Sequence, residues 1–200
     1  SEKLRDKGVQ KVVWLFTTNV SVFTSNGGFL VKPEDFKGVK IRGLEPSFNA
    51  SLEALGAAPS SMSGSKVYQA LATNVIDAGL TDVSAAVSRK YFEVQDHFTV
   101  VPVISVYFHG YVNPTWYDSL SEKNRAALDR AGKTAAAMAI DASIAASADA
   151  PDTLRSKGSN VHIATDAEIT ALEAVMRPAF DAKFKGNDDA SKLIELIAKM

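Results

Sequence analysis

Apolar residues fall along this chain in two rhythms. Residues 9–16 (VQKVVWLF) form a nearly continuous apolar, β-branched run, which predicts a buried strand. Residues 20–24 predict a second strand, and Asn26, Gly27 and Gly28 mark a turn after it. Lys32-Pro33-Glu34-Asp35 suits a short helix with proline near its start, ended by Gly38, and residues 39–42 resemble a short strand. The spacing then changes. Phe48, Leu52 and Leu55 share one face of a helix over 47–55, and Gly56 suits the position just past its end. A helix over 65–73 turns Val67, Ala70 and Leu71 inward. Residues 75–80 (VIDAGL) predict a short strand ending in glycine and polar residues, with a helix over 83–89 behind it. Residues 98–104 and 105–112 predict two more strands, with Pro102 at an edge or a bend.

The longest periodic segment starts near Ser119 or Ser121. Ser119 with Glu122 fits a capping box, and the helix runs to about Ser156, where Gly158 stops it. At about 1.5 Å per residue such a rod spans on the order of 50 Å, too long for one small domain to cover. That length suits a brace across two lobes. Pro151 removes a backbone donor, so the alternative is a pair of helices breaking near 149–152. Residues 161–164 predict a short strand. Thr165 with Glu168 is a second capping box, opening a helix to about Phe184 that Pro178 should kink. A final amphipathic helix over 188–199 carries Leu193, Leu196 and Ile197. The opening SEKLRDKG reads as the end of a helix stopped by Gly8, whose missing beginning suggests that the chain starts inside a longer protein. Short strands alternating with helices place the chain in the α/β class. No repeat or low-complexity linker separates autonomous units, so two lobes would share strands.

Composition narrows the function. Apolar residues make up 46% of the 200, enough for a proper core. The net charge is −1, so no single-sign field draws the protein to nucleic acid or an acidic membrane, and charge recognition must be local. The absence of cysteine removes disulfides, cysteine metal sites and a thiol nucleophile. It fits an oxidising compartment, although a cytosolic chain can lack cysteine too. The Ala-rich stretch 135–150 is interrupted by Asp141, Ser143, Ser147 and Asp149, so no apolar run reaches membrane-spanning length, and no signal peptide is visible. His97, His109 and His162 are dispersed without ligand spacing, and Asp188-Asp189 reads as a helix start rather than a cation site. Phosphate-loop, dinucleotide and nucleophile-elbow motifs are absent, and Ser63-Gly64-Ser65 alone is no elbow. Nothing assembles a nucleophile, base and oxyanion hole, so neither catalysis nor a cofactor is expected.

Residues 37–95 carry a resemblance. Lys40-Ile41-Arg42, Ala54-Leu55-Gly56-Ala57, the segment from Pro59 to Met62, Val67-Tyr68-Gln69-Ala70-Leu71, Val75-Ile76-Asp77 and the segment from Tyr91 to Val94 follow one another in order. Phe23-Thr24-Ser25-Asn26 upstream, and WYDSLSEK over 116–123 before the long helix, continue the series. The whole resembles the C-terminal two-thirds of the solute-binding proteins of TRAP (tripartite ATP-independent periplasmic) transporters.

That resemblance implies a periplasmic-binding-protein-like α/β fold: two lobes around a ligand cleft, braced by one long helix and here truncated at the N-terminus. Residues 1–24 would be the remainder of the first lobe with a crossing strand. Residues 25–112 would form mainly the second lobe with crossing strands, 113–158 the brace, and 159–200 helices packing on both lobes. It implies a periplasmic receptor, not an enzyme. The receptor would capture a small organic acid and deliver it to the transporter's membrane subunits. Arg42 is the residue matched to the family's carboxylate-binding arginine; its planar guanidinium offers parallel donors to two carboxylate oxygens. The alternative for Arg42 is a surface pair with Glu45. Three positions depart from the family. Ser21 stands where a second arginine is common, Gly79-Leu80-Thr81 and then Asp82 where Q-E-N is common, and Gly64 where an aromatic is common. A site short of one cation and one amide favours a monocarboxylate or sulfonate with a polar or amino group elsewhere over a dicarboxylate. Asp82 either enters the site or caps the helix after it, with Thr81 as the other cap. Of Tyr107 and Phe108, which point to opposite sides of a strand, Tyr107 is the one expected to face the ligand. Trp14 and Trp116 are expected in the core. Exposed strand edges of the incomplete lobe, residues 9–16 above all, would favour a homodimer.

Overall fold

The computed structural model describes residues 2–18 and 20–197. A short helix α1 (Glu2–Arg5) leads into β1 (Gln10–Thr18), which pairs antiparallel with β7 (Val106–Val112) as a two-stranded ribbon. The body of the molecule is a four-stranded sheet in the order β5-β2-β6-β8. Its strands are β2 (Ser21–Ser25), β5 (Gly79–Asp82), β6 (His97–Val101) and β8 (Asn160–Ile163). β2 runs antiparallel to both β5 and β6, while β8 joins β6 in parallel. A small parallel pair, β3 (Lys40–Gly43) and β4 (Ala58–Ser61), flanks the sheet and touches it through the Ile41–Ala78 bridge.

Strand alternation divides the core in two. Phe23 and Val101 point to one face, where Phe36, Ile41, Phe48, Leu52, Leu172 and Met176 pack around them. Val22 and Val100 point to the other, among Val67, Leu71, Tyr91, Phe98 and Leu154. The helices α2 (Pro46–Ala54) and α7 (Asp166–Ala182) supply the first layer. The helices α3 (Gly64–Ala72), α4 (Val83–Ser88) and the far end of α6 (Glu122–Ser156) supply the second. A one-turn helix (Pro33–Phe36) precedes β3, the short α5 (Pro114–Ser119) precedes α6, and α8 (Asp188–Ile197) follows α7.

Most elements lie where the hydrophobic pattern puts them, and four points differ from it or add to it. Residues 75–80 do not form the strand. Val75 is 62% exposed, and residues 75–78 cross over to β3, where the amides of Asp77 and Ala78 both donate to the Lys40 carbonyl. The strand is the polar-ended Gly79–Asp82, fully buried because it is paired with β2 and backed by the second helical layer. Second, the segment around Pro59, to which the pattern gives no element, is a strand, β4, beside β3. Third, Ser119 closes α5, donating to the Trp116 carbonyl, while Ser121 caps α6 by accepting from the Asn124 amide. Fourth, Trp14 and Trp116 are about half exposed rather than core.

Of the two readings of the long helix, the unbroken one is observed: α6 runs 35 residues through Pro151. α7 likewise continues past Pro178, opened by the reciprocal Thr165–Glu168 capping box. The predicted end of the last helix, beyond Ile197, lies outside the described residues.

Candidate binding cavity

Arg42 stands one residue from the end of β3, and its amide donates to the Ala78 carbonyl. The side chain is buried, 9% exposed. Its Nη1 donates to the Leu80 carbonyl at 2.8 Å, and its Nε donates to the Met62 carbonyl at 3.4 Å. These two carbonyls fix the guanidinium but bring no countercharge. No carboxylate pairs with Arg42 among the described residues, so the alternative pairing with Glu45 is not formed. Burial pushes the Arg42 pKa down, the field of Arg89 adds to that, and nearby Tyr91 opposes it. Arginine titrates so far above neutrality that the group stays cationic.

The guanidinium faces a cavity of about 350 Å³. It is lined by Arg42, Thr81 and Asp82 from the β3 and β5 side, by Ile104, Val106 and Phe108 from β7 and the segment before it, and by Ala142, Ser143 and Ala146 of α6. Ser143 is held by its hydroxyl donating to the Phe16 carbonyl of β1. The α6 residues that line the cavity are small, which keeps the rod close to β1 without filling the cavity.

Asp82 is the cap of the helix after it and also faces the cavity. Its Oδ1 accepts from the amides of Ser84 at 2.6 Å and Ala85 at 3.2 Å as the N-cap of α4. The Ser84 hydroxyl donates to the same oxygen. Thr81, 4% exposed, is therefore not the cap; its Oγ1 accepts from Arg89 Nη1 at 3.3 Å.

Two expected site residues stand elsewhere. Ser21 is fully buried beside β6, donating to the Val101 carbonyl and accepting from the Val103 amide, and it does not line the cavity. Tyr107 points to the other side of β7, with its ring 5.6 Å from Phe16 and 6.4 Å from Trp14. Alternation puts Val106 and Phe108 on the cavity side instead.

The sequence reading missed Arg89. It extends from the C-cap position of α4 into the same cavity as Arg42, so the cavity holds two cations where one was counted. The signal was available: Asp82, Ala85 and Arg89 recur at helical spacing along one face of α4, and all three line the cavity.

The family model for the bacterial extracellular solute-binding proteins of family 7 (DctP) matches residues 1–187. A C4-dicarboxylate-binding periplasmic protein DctP from Rhodobacter capsulatus is 32% identical over 188 residues, covering 90% of this chain and 54% of the relative. A solute-binding protein from Albidiferax ferrireducens is 26% identical over 200 residues, 96% of this chain and 58% of the relative. The chain thus spans a little over half the length of these relatives. A TRAP periplasmic solute-binding protein from Desulfovibrio salexigens with bound orotic acid superposes with a TM-score of 0.89 at 19% identity, covering 99% of this chain and 64% of that one. One from Roseobacter denitrificans with bound β-D-glucuronate superposes with a TM-score of 0.85 at 26% identity, covering 96% and 63%. The match along nearly the whole chain, in sequence and in fold, makes this protein a member of family 7 of the bacterial extracellular solute-binding proteins.

Proposed function

We propose that this chain is the larger part of a periplasmic receptor that captures a small organic acid for the membrane subunits of a TRAP-type transporter. The observation that carries the reading is Arg42: a buried guanidinium, held by two carbonyls and lacking a carboxylate partner among the described residues, on the wall of a cavity. A ligand carboxylate supplies the missing charge, and a water-poor cleft strengthens the pair. Relatives with bound orotate and glucuronate support an acid as the ligand class. In this reading the ribbon β1/β7 and the near half of α6 belong to the first lobe, and the four-stranded sheet with its helices is the second. The lobes close on the ligand by hinge motion. The remaining part of a full-length protein completes the opposite wall.

The test uses the full-length protein. Ligand at a hundred times its dissociation constant should stabilise it by about 2.7 kcal/mol, read as a rise in melting temperature. Arg42→Ala should erase that rise, and Arg42→Lys should restore little of it because an ammonium lacks the planar fork. An Arg42→Ala variant that still responds to ligand overturns the reading.

A second reading concerns the 200-residue chain alone. Trp14, Tyr107, Tyr111, Met138 and Ile144 are each at least 46% exposed on the ribbon and α6. Two copies could cover these faces mutually, giving a homodimer without a functioning cleft.

A further inference from the structure

Arg89 and Gly64 form a second feature of the cavity wall. Gly64 opens α3, and the Arg89 guanidinium lies directly over its Cα. A Cβ at position 64 would come within 2.5 Å of Arg89 Nη1 and 2.7 Å of Cζ, closer than real side chains approach. Any residue but glycine there would push the guanidinium from its place. Thr81 holds the group from the other side through Nη1.

Neither Arg42 nor Arg89 pairs with a carboxylate among the described residues. The acidic group on the same wall, Asp82, has its Oδ1 engaged by three donors at the start of α4. The two guanidiniums are also anchored separately, Arg42 on carbonyls of residues 62 and 80, Arg89 on the Thr81 hydroxyl. Each fork can therefore receive its own oxyanion.

Resting on the acid-receptor reading, we propose that Arg89, made room for by Gly64, is a second acid anchor that selects ligands carrying two acidic groups. This departs from the preference for a monocarboxylate that the sequence suggests, because the missing cation enters from α4 rather than from β2.

The test is calorimetric binding to the full-length protein of acid twins on one skeleton: malonate against acetate, and glucarate against gluconate. The intact protein should prefer the diacid. Arg89→Ala should cost the diacid about 10- to 100-fold more affinity than it costs the monoacid, the range of a charge-assisted hydrogen-bonded pair. Arg89→Lys should recover part of the difference, and Gly64→Ala should shift the ratio in the same direction as Arg89→Ala. Circular dichroism of each variant checks that it folds. A diacid-to-monoacid ratio unchanged in Arg89→Ala, or a preference of the intact protein for the monoacid, overturns the proposal for Arg89. Arg42→Ala separates the two readings. If it leaves both twins bound, the acid-receptor reading fails on its own, and an intact protein that binds none of the four acids overturns both.

Discussion

Ser21 and Arg42 are both buried polar residues, yet their partners give them opposite roles. Ser21 has a donor and an acceptor within the protein, bridging the Val101 carbonyl and the Val103 amide where the chain leaves β6 for β7. Ser21→Ala should leave both backbone groups short of a partner, lowering stability by about 1–3 kcal/mol in urea denaturation. Ligand affinity of the full-length protein should stay within about twofold of the intact protein's, a small difference on the scale of tenfold per 1.4 kcal/mol. Arg42 has acceptors for two of its nitrogens and no countercharge among the described residues, which is the observation that the proposed acid-binding role rests on. The difference between these residues was only half legible in the sequence. The resemblance pointed to Arg42 and Ser21 as matched positions, but a serine's partners depend on which carbonyl the next strand brings to it. Arg89 stayed hidden for the same reason. Its helical spacing from Asp82 was in the sequence, while its contact with Gly64, 25 residues earlier in the chain, exists only in the fold.

Strands and helices were legible where one face is apolar and blurred where burial comes from both sides. Residues 75–80 look more like a strand than Gly79–Asp82, but pairing is decided by what β2 presents, and β2 presents a register that reaches Asp82. Caps were legible when box and helix agreed. Thr165 and Glu168 satisfy each other's backbone amides at the start of α7. Thr165→Ala should therefore cost about 1 kcal/mol, read as a lower denaturant midpoint at unchanged slope. The same element carries a pH dependence. The Thr165 amide and then His162 hold the Glu168 carboxyl below its usual range, and the His97 ring does the same for Asp96 at the end of the loop before β6. Groups with depressed folded pKa values add stability above their unfolded values and lose it as the pH falls through the folded ones. The melting temperature should thus drop on acidification below the ordinary carboxylate range, and Glu168→Gln should make the drop shallower. Gly132 shows what the periodic pattern cannot reveal. It sits inside α6 where the Val12 carbonyl of β1 passes too close for any Cβ. Gly132→Ala should gain helix propensity yet lower the melting temperature, because the rod must move off the ribbon.

At the scale of the molecule, the structure is unevenly covered. The four-stranded sheet is enclosed on both faces, whereas the ribbon and the middle of α6 present Trp14, Phe108, Met138 and Ile144 at 48%, 59%, 66% and 58% exposure. The 35-residue helix was legible as a rod, with a break near Pro151 as the other reading, but where it anchors was not: its buried positions, Ser147, Ala150 and Leu154, all lie near its far end. The 200-residue chain by itself should bind an environment-sensitive dye such as anilinonaphthalene sulfonate and scatter light as an oligomer. The full-length protein should do neither, and a dye-silent, monomeric 200-residue chain would show that these faces are tolerated in water.

In the proposed receptor, the α6 side of the cavity has a consequence for how specificity diversifies. Ala142 and Ala146 project from a rod whose position is fixed by contacts elsewhere, at Gly132 and Ser143 on the ribbon and at Ala150 and Leu154 in the second core. Exchanging either alanine for a bulkier side chain should alter the depth of the chamber while the sheet and its arginines keep their places. On that reading, single codon changes along one stripe retune which cargo fits, without renegotiating the architecture that grips it.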